Sequence, residues 1–207
     1  MIVEQEPAYA AALFGDRIEV ARAFTADLAR FGEELGLIGP LEAERLWSRH
    51  VVNCALVAGL LRPGRVGDVG SGAGLPGLVL AIARPDSHLV LIEPMERRTE
   101  WLSAEAERLG LTNVTVVRAR AEEFAPEPLL DQVTARAVSA LSKLIPLCAP
   151  LLAPGGEVLF MKGARVDEEV EAAQKAIRKA RLRDPEVLVL GEGIVPEVTR
   201  VFRARVD

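Results

Sequence analysis

Between Gly67 and Gly77 the chain reads Gly-Asp-Val-Gly-Ser-Gly-Ala-Gly-Leu-Pro-Gly, its densest glycine cluster. Two patterns overlap there. Gly72-x-Gly74-x-x-Gly77 fits the fingerprint that seats a dinucleotide on a helix N-terminus. Asp68-x-Gly70-x-Gly72-x-Gly74 fits the loop with which methyltransferases hold S-adenosylmethionine. The acid two residues before the first glycine favours the second. NAD loops usually carry an apolar residue there, whereas a sulfonium cation gains from a carboxylate nearby, and Asp68 is the candidate. Pro76-Gly77 also delays the helix start, a poor fit to a dinucleotide loop whose last glycine packs inside the helix. Backbone N–H groups of the loop are then available to the carboxylate end of the ligand.

Further polar residues follow at intervals that suit the same ligand. Glu93 lies 19 residues after Gly74, at the end of an apolar run, where a carboxylate accepts both ribose hydroxyls. Ala121-Glu122 stands where an acid or a backbone amide meets the adenine edge. Residues that are missing narrow the acceptor. Methylating an exocyclic amine usually calls for an Asn/Asp-Pro-Pro-aromatic clamp, and the corresponding place reads Ala135-Arg136-Ala137-Val138. Methylating a pyrimidine carbon needs a cysteine nucleophile. Cys54 and Cys148 both fall on expected helices, away from the site. A ring nitrogen with a free lone pair, such as guanine N7, needs neither device, only in-line positioning and exclusion of water.

These residues need strand ends and loops to bring them together, and the hydrophobic pattern supplies them. Ile18, Ala21, Phe24, Leu28, Phe31 and Leu35 recur at steps of three and four, predicting a helix over 16–36 that stops at Gly36, Gly39 and Pro40. A second helix is expected from Leu41 to about Leu60, carrying Trp47, His50 and Val51. Strands are expected at 65–70, 88–93, 113–118, 131–136 and 157–162, with 187–190 and 198–205 closing the chain. Helices are expected from Leu78 to Ala83 and over 96–109, 141–152 and 167–181, and a turn at Pro154-Gly155-Gly156. Strands alternating with helices of this length imply an α/β fold with a doubly wound, mostly parallel sheet. Residues 1–60 form an N-terminal helical cap and residues 61–207 one compact domain. Ligands bind such sheets beyond the carboxyl ends of the strands, so the loops after Val69, Ile92, Val117, Ala135 and Met161 share one rim.

At 207 residues there is room for one substantial core. The makeup, 50% apolar and 27% charged, is that of an ordinary globular domain. No apolar run approaches the ~18 residues of a membrane span. The first residues show neither a basic start nor an apolar core, so no leader is expected and the protein is read as cytoplasmic. The two cysteines match no metal-ligand spacing and read as reduced core thiols; no metal is expected. A net charge of −5 argues against a general nucleic-acid coat but leaves room for a local basic patch. Lys175, Arg178, Lys179, Arg181 and Arg183 stand within nine residues without an acid, either a solvated helix face or a contact for RNA phosphates.

Several of these residues also carry a resemblance. Arg49-His50, the run from Asp68 to Gly77 with its Gly-Leu-Pro-Gly tail, Arg84-Pro85, Arg120-Ala-Glu-Glu-Phe124, Ala135-Arg136-Ala137 and Lys162-Gly163 together resemble the RsmG/GidB family, in order and spacing, over about residues 45 to 165. The resemblance implies a Rossmann-like, S-adenosylmethionine-dependent methyltransferase acting on N7 of a guanine in 16S rRNA. By it, Gly70 and Leu75 line the cofactor pocket beside Gly72 and Gly74, and Glu93 meets the ribose. Ala121 and Glu122 bracket the adenine. Arg136 sits beside the methionine end or the incoming base, with Lys162 and Arg49-His50 as rim basics. The implied partner is 16S rRNA or the small ribosomal subunit, with no membrane, and a monomer is expected. The chain departs from the family where Gly36-Leu37-Ile38 replaces Asn-Leu-Thr, where Asn53-Cys54 replaces Asp-Ser, where Glu93 stands in place of the commoner Asp, and in the last strand.

Weighed on residue type alone, Arg136 closes an apolar strand and needs a partner or open solvent, which favours a functional role. His50 on residue type reads as a packed or capping helical residue, and only the family resemblance brings a functional role level with that; Trp47 and Trp101 read as core. The alternatives are a methyltransferase for a small molecule or protein, an NAD(P)-binding oxidoreductase, or a module that binds S-adenosylmethionine and transfers nothing.

Overall fold

The computed structural model describes residues 3–207. Seven strands form a single sheet in the order β3-β2-β1-β4-β5-β7-β6. They are β1 (Gly64–Val69), β2 (Ser87–Ile92), β3 (Val114–Val117), β4 (Leu130–Arg136), β5 (Leu152–Lys162), β6 (Leu182–Leu190) and β7 (Thr199–Val206). β1 to β5 run parallel, while β7 is antiparallel to both β5 and β6. The chain walks outward from β1 through β2 to β3, then returns to lay β4 on the other side of β1. The strand order therefore reverses between β1 and β4, and a crevice opens beyond their carboxyl ends. The expected mostly parallel α/β sheet is the observed one.

Helices cover both faces. On one lie α1 (Ala10–Phe14), α2 (Ile18–Phe31), α3 (Asn53–Ala55), α4 (Gly77–Ala83) and α5 (Glu96–Arg108). Phe24 and Leu28 of α2, Leu80 of α4 and Leu102 of α5 pack in one cluster with Val51 and with Val66, Leu89, Leu91 and Leu159 from the strands. On the other lie α6 (Leu141–Cys148), α7 (Val166–Ala172) and α8 (Gln174–Lys179). There Leu144, Ile145 and Ile177 cover Val90, Val133, Phe160 and Phe202. Phe160 and Phe202 face each other across β5 and β7 in register, with ring centroids 6.4 Å apart. Each fully buried leucine or phenylalanine contributes ~1.5–3 kcal/mol of transfer free energy. The N-terminal helices share this first core with the strands.

Several boundaries differ from the expectation. Regular α2 stops at Phe31, and its last turns close at Gly36, where Leu37 N–H reaches Gly32 C=O and Gly36 N–H reaches Glu33 C=O. The second expected helix is a run of four segments in three geometries: a 3₁₀ turn (Glu42–Arg45), a π-helical stretch (Leu46–Val52), α3, and a 3₁₀ turn (Leu56–Leu60). π stretches widen a helix locally and recur at functional sites; this one carries Arg49 and His50. Pro154-Gly155-Gly156 lies inside β5, at a register shift against β4, rather than in a separate turn. The helix expected over 167–181 is broken at Ala173. The closing strand pair starts earlier than expected, β6 at Leu182.

The basic run from Lys175 to Arg183 is exposed. The register of β6 on β7 pairs Leu182 with Val206 and Leu190 with Thr199. β7 in turn pairs Arg205 with Glu157 and Arg200 with Lys162. Leu182 and Arg183 thus sit at the opposite end of the sheet from the carboxyl-end rim. The basic run is not part of the mouth of the crevice.

Candidate functional site

Three cavities line the rim, and the loop after β4 joins them. The first, about 340 Å³, is walled by Val69, Gly70, Glu93, Met95, Ala121, Glu122, Ala137 and Val138 among others. The second, about 370 Å³, has Gly70, Ser71, Gly72 and Leu75 on one side and Glu42, His50, Arg98 and Arg136 on the other. The third, about 530 Å³, lies outward between Arg49, Asn53, Arg136, Lys162, Glu169 and Arg200. Ala137 borders all three, and Arg136 the second and third. Ala137 has φ of +55°, a conformation few non-glycine residues adopt and one that clusters at functional sites.

The glycine loop is held from behind. Glu93 is buried, and its carboxylate accepts from Gly72 N–H at 3.0 Å and Met95 N–H at 3.0 Å. Trp101, expected only as core, donates its indole N–H to Ala73 C=O at 3.1 Å and braces the loop from α5. A Cβ added at Gly72 would meet nothing closer than Gly70 C=O at 3.8 Å, so the floor of the second cavity is bare backbone. At Gly77 the opposite holds: a Cβ would come within 2.3 Å of Leu91 and 2.5 Å of the Asp68 carboxylate. Gly74 N–H bonds back to Ser71 C=O, shaping the turn without lining a cavity.

Asp68 lies beneath the loop rather than in the crevice. It is fully buried and borders none of the three cavities, and its Oδ2 accepts from Gly77 N–H at 3.0 Å while Oδ1 has no partner. It pins the start of α4, which corrects the expectation of a carboxylate facing a sulfonium. Burial raises its pKa to about 7 from 3.8. The folded protein therefore holds a proton there that the unfolded chain has released. This group's contribution to stability falls as pH rises from about 4 through 7, then levels off. Denaturant unfolding between pH 5 and 8 is expected to show this slope in the parent and lose it in Asp68→Asn; equal slopes would refute the assignment.

Arg136, at the end of β4, meets the N-terminal wall. One guanidinium nitrogen donates to His50 Nδ1 at 2.5 Å and another to Cys54 Sγ at 3.4 Å. Cys54 thus lies directly against the rim arginine, not away from the site as expected from its helix, although it is completely buried. Burial pushes its thiol pKa up, with Arg136 opposing in part. Cys148 is also buried and raised, on the far face. Neither thiol presents a nucleophile to the crevice. On its other side His50 meets Glu42 through Nε2 at 2.5 Å, and Glu42 also holds Arg45 at 2.9 Å. Sequence reading missed Glu42; the signal was an acid eight residues before His50, legible only once the helix between them is known to be irregular.

Lys162 borders the third cavity, but its ammonium is already engaged, donating to Ser139 C=O at 2.9 Å and pairing with Glu169 at 2.7 Å. Glu169 also accepts from Leu141 N–H, so the group ties the loop after β4 to α6 and α7. Arg49 is half exposed at the same mouth. Asn53, a departure from the family pattern, accepts at Oδ1 from the Thr199 hydroxyl at 2.6 Å, fastening the start of α3 to β7. Ala121 and Glu122 stand together at the first cavity, Ala121 buried and Glu122 exposed.

The arrangement fits S-adenosylmethionine. A buried acid whose carboxylate is already oriented borders the first cavity, open glycine backbone floors the second, and an arginine stands where the second meets the third. Among the described residues no cluster of histidine, cysteine or carboxylate could hold a metal ion, and no helix is long and apolar enough to cross a membrane.

Comparison with known proteins gives a consistent result. The family described as rRNA small subunit methyltransferase G matches residues 17–196. The ribosomal RNA small subunit methyltransferase G of Clavibacter michiganensis is 68% identical over 206 residues, covering 100% of this chain and 98% of that protein. That of Corynebacterium glutamicum is 46% identical over 203 residues, covering 96% and 91%. Among solved structures, M. jannaschii TYW2 in complex with AdoMet superposes with a TM-score of 0.58 at 19% identity over 77% of this chain and 76% of that one. The tRNA (m1A58) methyltransferase TrmI of Aquifex aeolicus gives 0.57 at 16% over 76% and 68%. At such identities the structures show the shared fold alone.

Proposed function

The chain belongs to the rRNA small subunit methyltransferase G family, and on that premise we propose that it methylates N7 of a guanine in 16S rRNA, with Arg136 placing the base. The observation that carries this reading is the meeting of the three cavities at Arg136–Ala137. A ligand bound along the first two cavities ends where an acceptor entering the third begins.

S-adenosylmethionine, bound there, supplies an electrophilic methyl group. Glu93 has oxygen lone pairs left for ribose hydroxyls after serving two backbone amides. Glu122 and the backbone around Ala121 border the adenine end, and Gly70, Gly72 and Leu75 the methionine end. The nucleophile is the lone pair of guanine N7, and S-adenosylmethionine held by Glu93 and the glycine loop would supply the methyl group, its sulfur keeping the electron pair of the broken bond. No proton leaves N7, so no general base is required. The chain's work is orientation and exclusion of water. Guanine presents O6 beside N7, and arginine donors suit that edge; Arg136 pairs with O6 and leaves N7 free. Arg49 and Arg200 at the outer cavity suit RNA phosphates.

The protein is read as a cytoplasmic monomer that needs no metal. The test is transfer of labelled methyl from S-adenosylmethionine to small subunits and to naked 16S rRNA, with 7-methylguanosine mapped in the product. Label at one guanine is the expected result. Label on cell metabolites or proteins alone would replace this reading with the small-molecule or protein alternative.

A further inference from the structure

We propose that Glu42 is a positioning residue for methyl transfer, acting through His50 to aim the Arg136 guanidinium into the junction of the second and third cavities. The inference rests on the reading of Arg136 above and adds a residue to it.

An arginine nitrogen can only donate. His50 Nδ1, facing Arg136 Nη2, must therefore be a bare lone pair. An ionised carboxylate can only accept, so His50 Nε2, facing Glu42, carries the proton. The two contacts admit one state of the ring: neutral, with its proton on Nε2. The surroundings favour that state. Burial and then the Arg136 charge hold the His50 pKa below its ordinary value, against the opposing pull of Glu42, with Arg49 adding to the lowering. Burial would raise the Glu42 pKa, but hydrogen bonds from His50 and Arg45 outweigh it and keep the group ionised.

The chain of contacts spans the molecule's two halves. Glu42 opens the irregular helical run, His50 lies in its π-helical stretch, and Arg136 ends β4, 86 residues further on. A ring with its proton on Nδ1 would turn a donor toward Arg136, and a protonated ring would add repulsion; either would release the guanidinium. The oriented imidazole thus sets one arginine nitrogen and leaves the others for the acceptor.

The chain has two histidines, His50 and His88, so nitrogen-15 NMR reads the ring directly, with a His88→Gln variant for assignment. In the parent protein at pH 7.5, His50 is expected as the neutral Nε2–H tautomer. Glu42→Ala should yield a tautomer mixture and lower kcat about ten- to a hundredfold, the range seen when partners that orient a metal-bound histidine are removed. Glu42→Gln, whose carboxamide oxygen still accepts, should keep the tautomer and most of the turnover. A parent His50 protonated on Nδ1, or on both nitrogens, overturns the inference. So does a Glu42→Ala kcat within twofold of the parent, or a Glu42→Gln variant as impaired as Glu42→Ala. The spectroscopic result needs no turnover, so failure of the proposed reaction and failure of this inference give different results.

Discussion

Arg136→Ala is expected to keep the fold and lose methyl transfer by about a thousandfold, comparable to the removal of a single transition-state donor in other enzymes. Among the described residues the side chain is the one cationic group shared by the second and third cavities. Its loss leaves His50 Nδ1 and Cys54 Sγ without a donor, but water entering from the crevice can satisfy the imidazole. Stability should therefore fall by only ~1 kcal/mol, or about 2–4 °C in Tm at this chain length. Calorimetric affinity for S-adenosylmethionine should change far less than turnover. Arg136→Lys should not rescue, because an ammonium lacks the planar fork that donates to His50 and onward at once. Full activity of Arg136→Ala on small subunits would remove this residue from the reaction.

The second large effect separates two glycines of one loop. Gly72→Asp should abolish measurable cofactor binding, a loss of a hundredfold or more, while the protein still folds. Its side chain meets open space, not protein, and lies beside the Glu93 carboxylate that Gly72 N–H now serves. It would fill the floor of the cavity and place two carboxylates together. With φ of +52° the backbone conformation adds strain of ~1 kcal/mol. Gly77→Ala should do the reverse damage. Its methyl would enter the packing between Leu91 and Asp68, and overpacking there costs ~1–3 kcal/mol or more. Unfolding curves and titration calorimetry on the pair distinguish them; unchanged affinity in Gly72→Asp would sink the placement of the cofactor.

What was legible in the chain follows from what each signal depends on. The parallel strands announced themselves because both faces are buried, giving unbroken runs such as His88–Glu93. The glycine loop and Glu93 were legible because local spacing defines them. Asp68 was expected to face the ligand, whereas it accepts from Gly77 N–H beneath the loop: a period-two pattern does not say whether the last acid of a buried strand points at ligand or at the next helix. The contacts of Arg136 with His50 and Cys54 cross more than 80 residues, and no periodicity reports them. Glu42 was hidden by assuming a regular helix between Leu41 and Leu60, since a π-helical stretch changes which residues share a face. The closing strands were placed roughly, but their antiparallel pairing was not foreseen, and that pairing is what carries the basic run away from the mouth.

The adjacency of the three cavities also bears on how such a protein can change. On the proposed reading Arg136 and Ala137 wall both the methyl-donor space and the acceptor space, so a substitution that retunes one specificity would disturb the other. Drift in target choice, or its redesign in the laboratory, has freer ground at positions bordering the outer cavity alone, among them Arg49, Asn53 and Arg200.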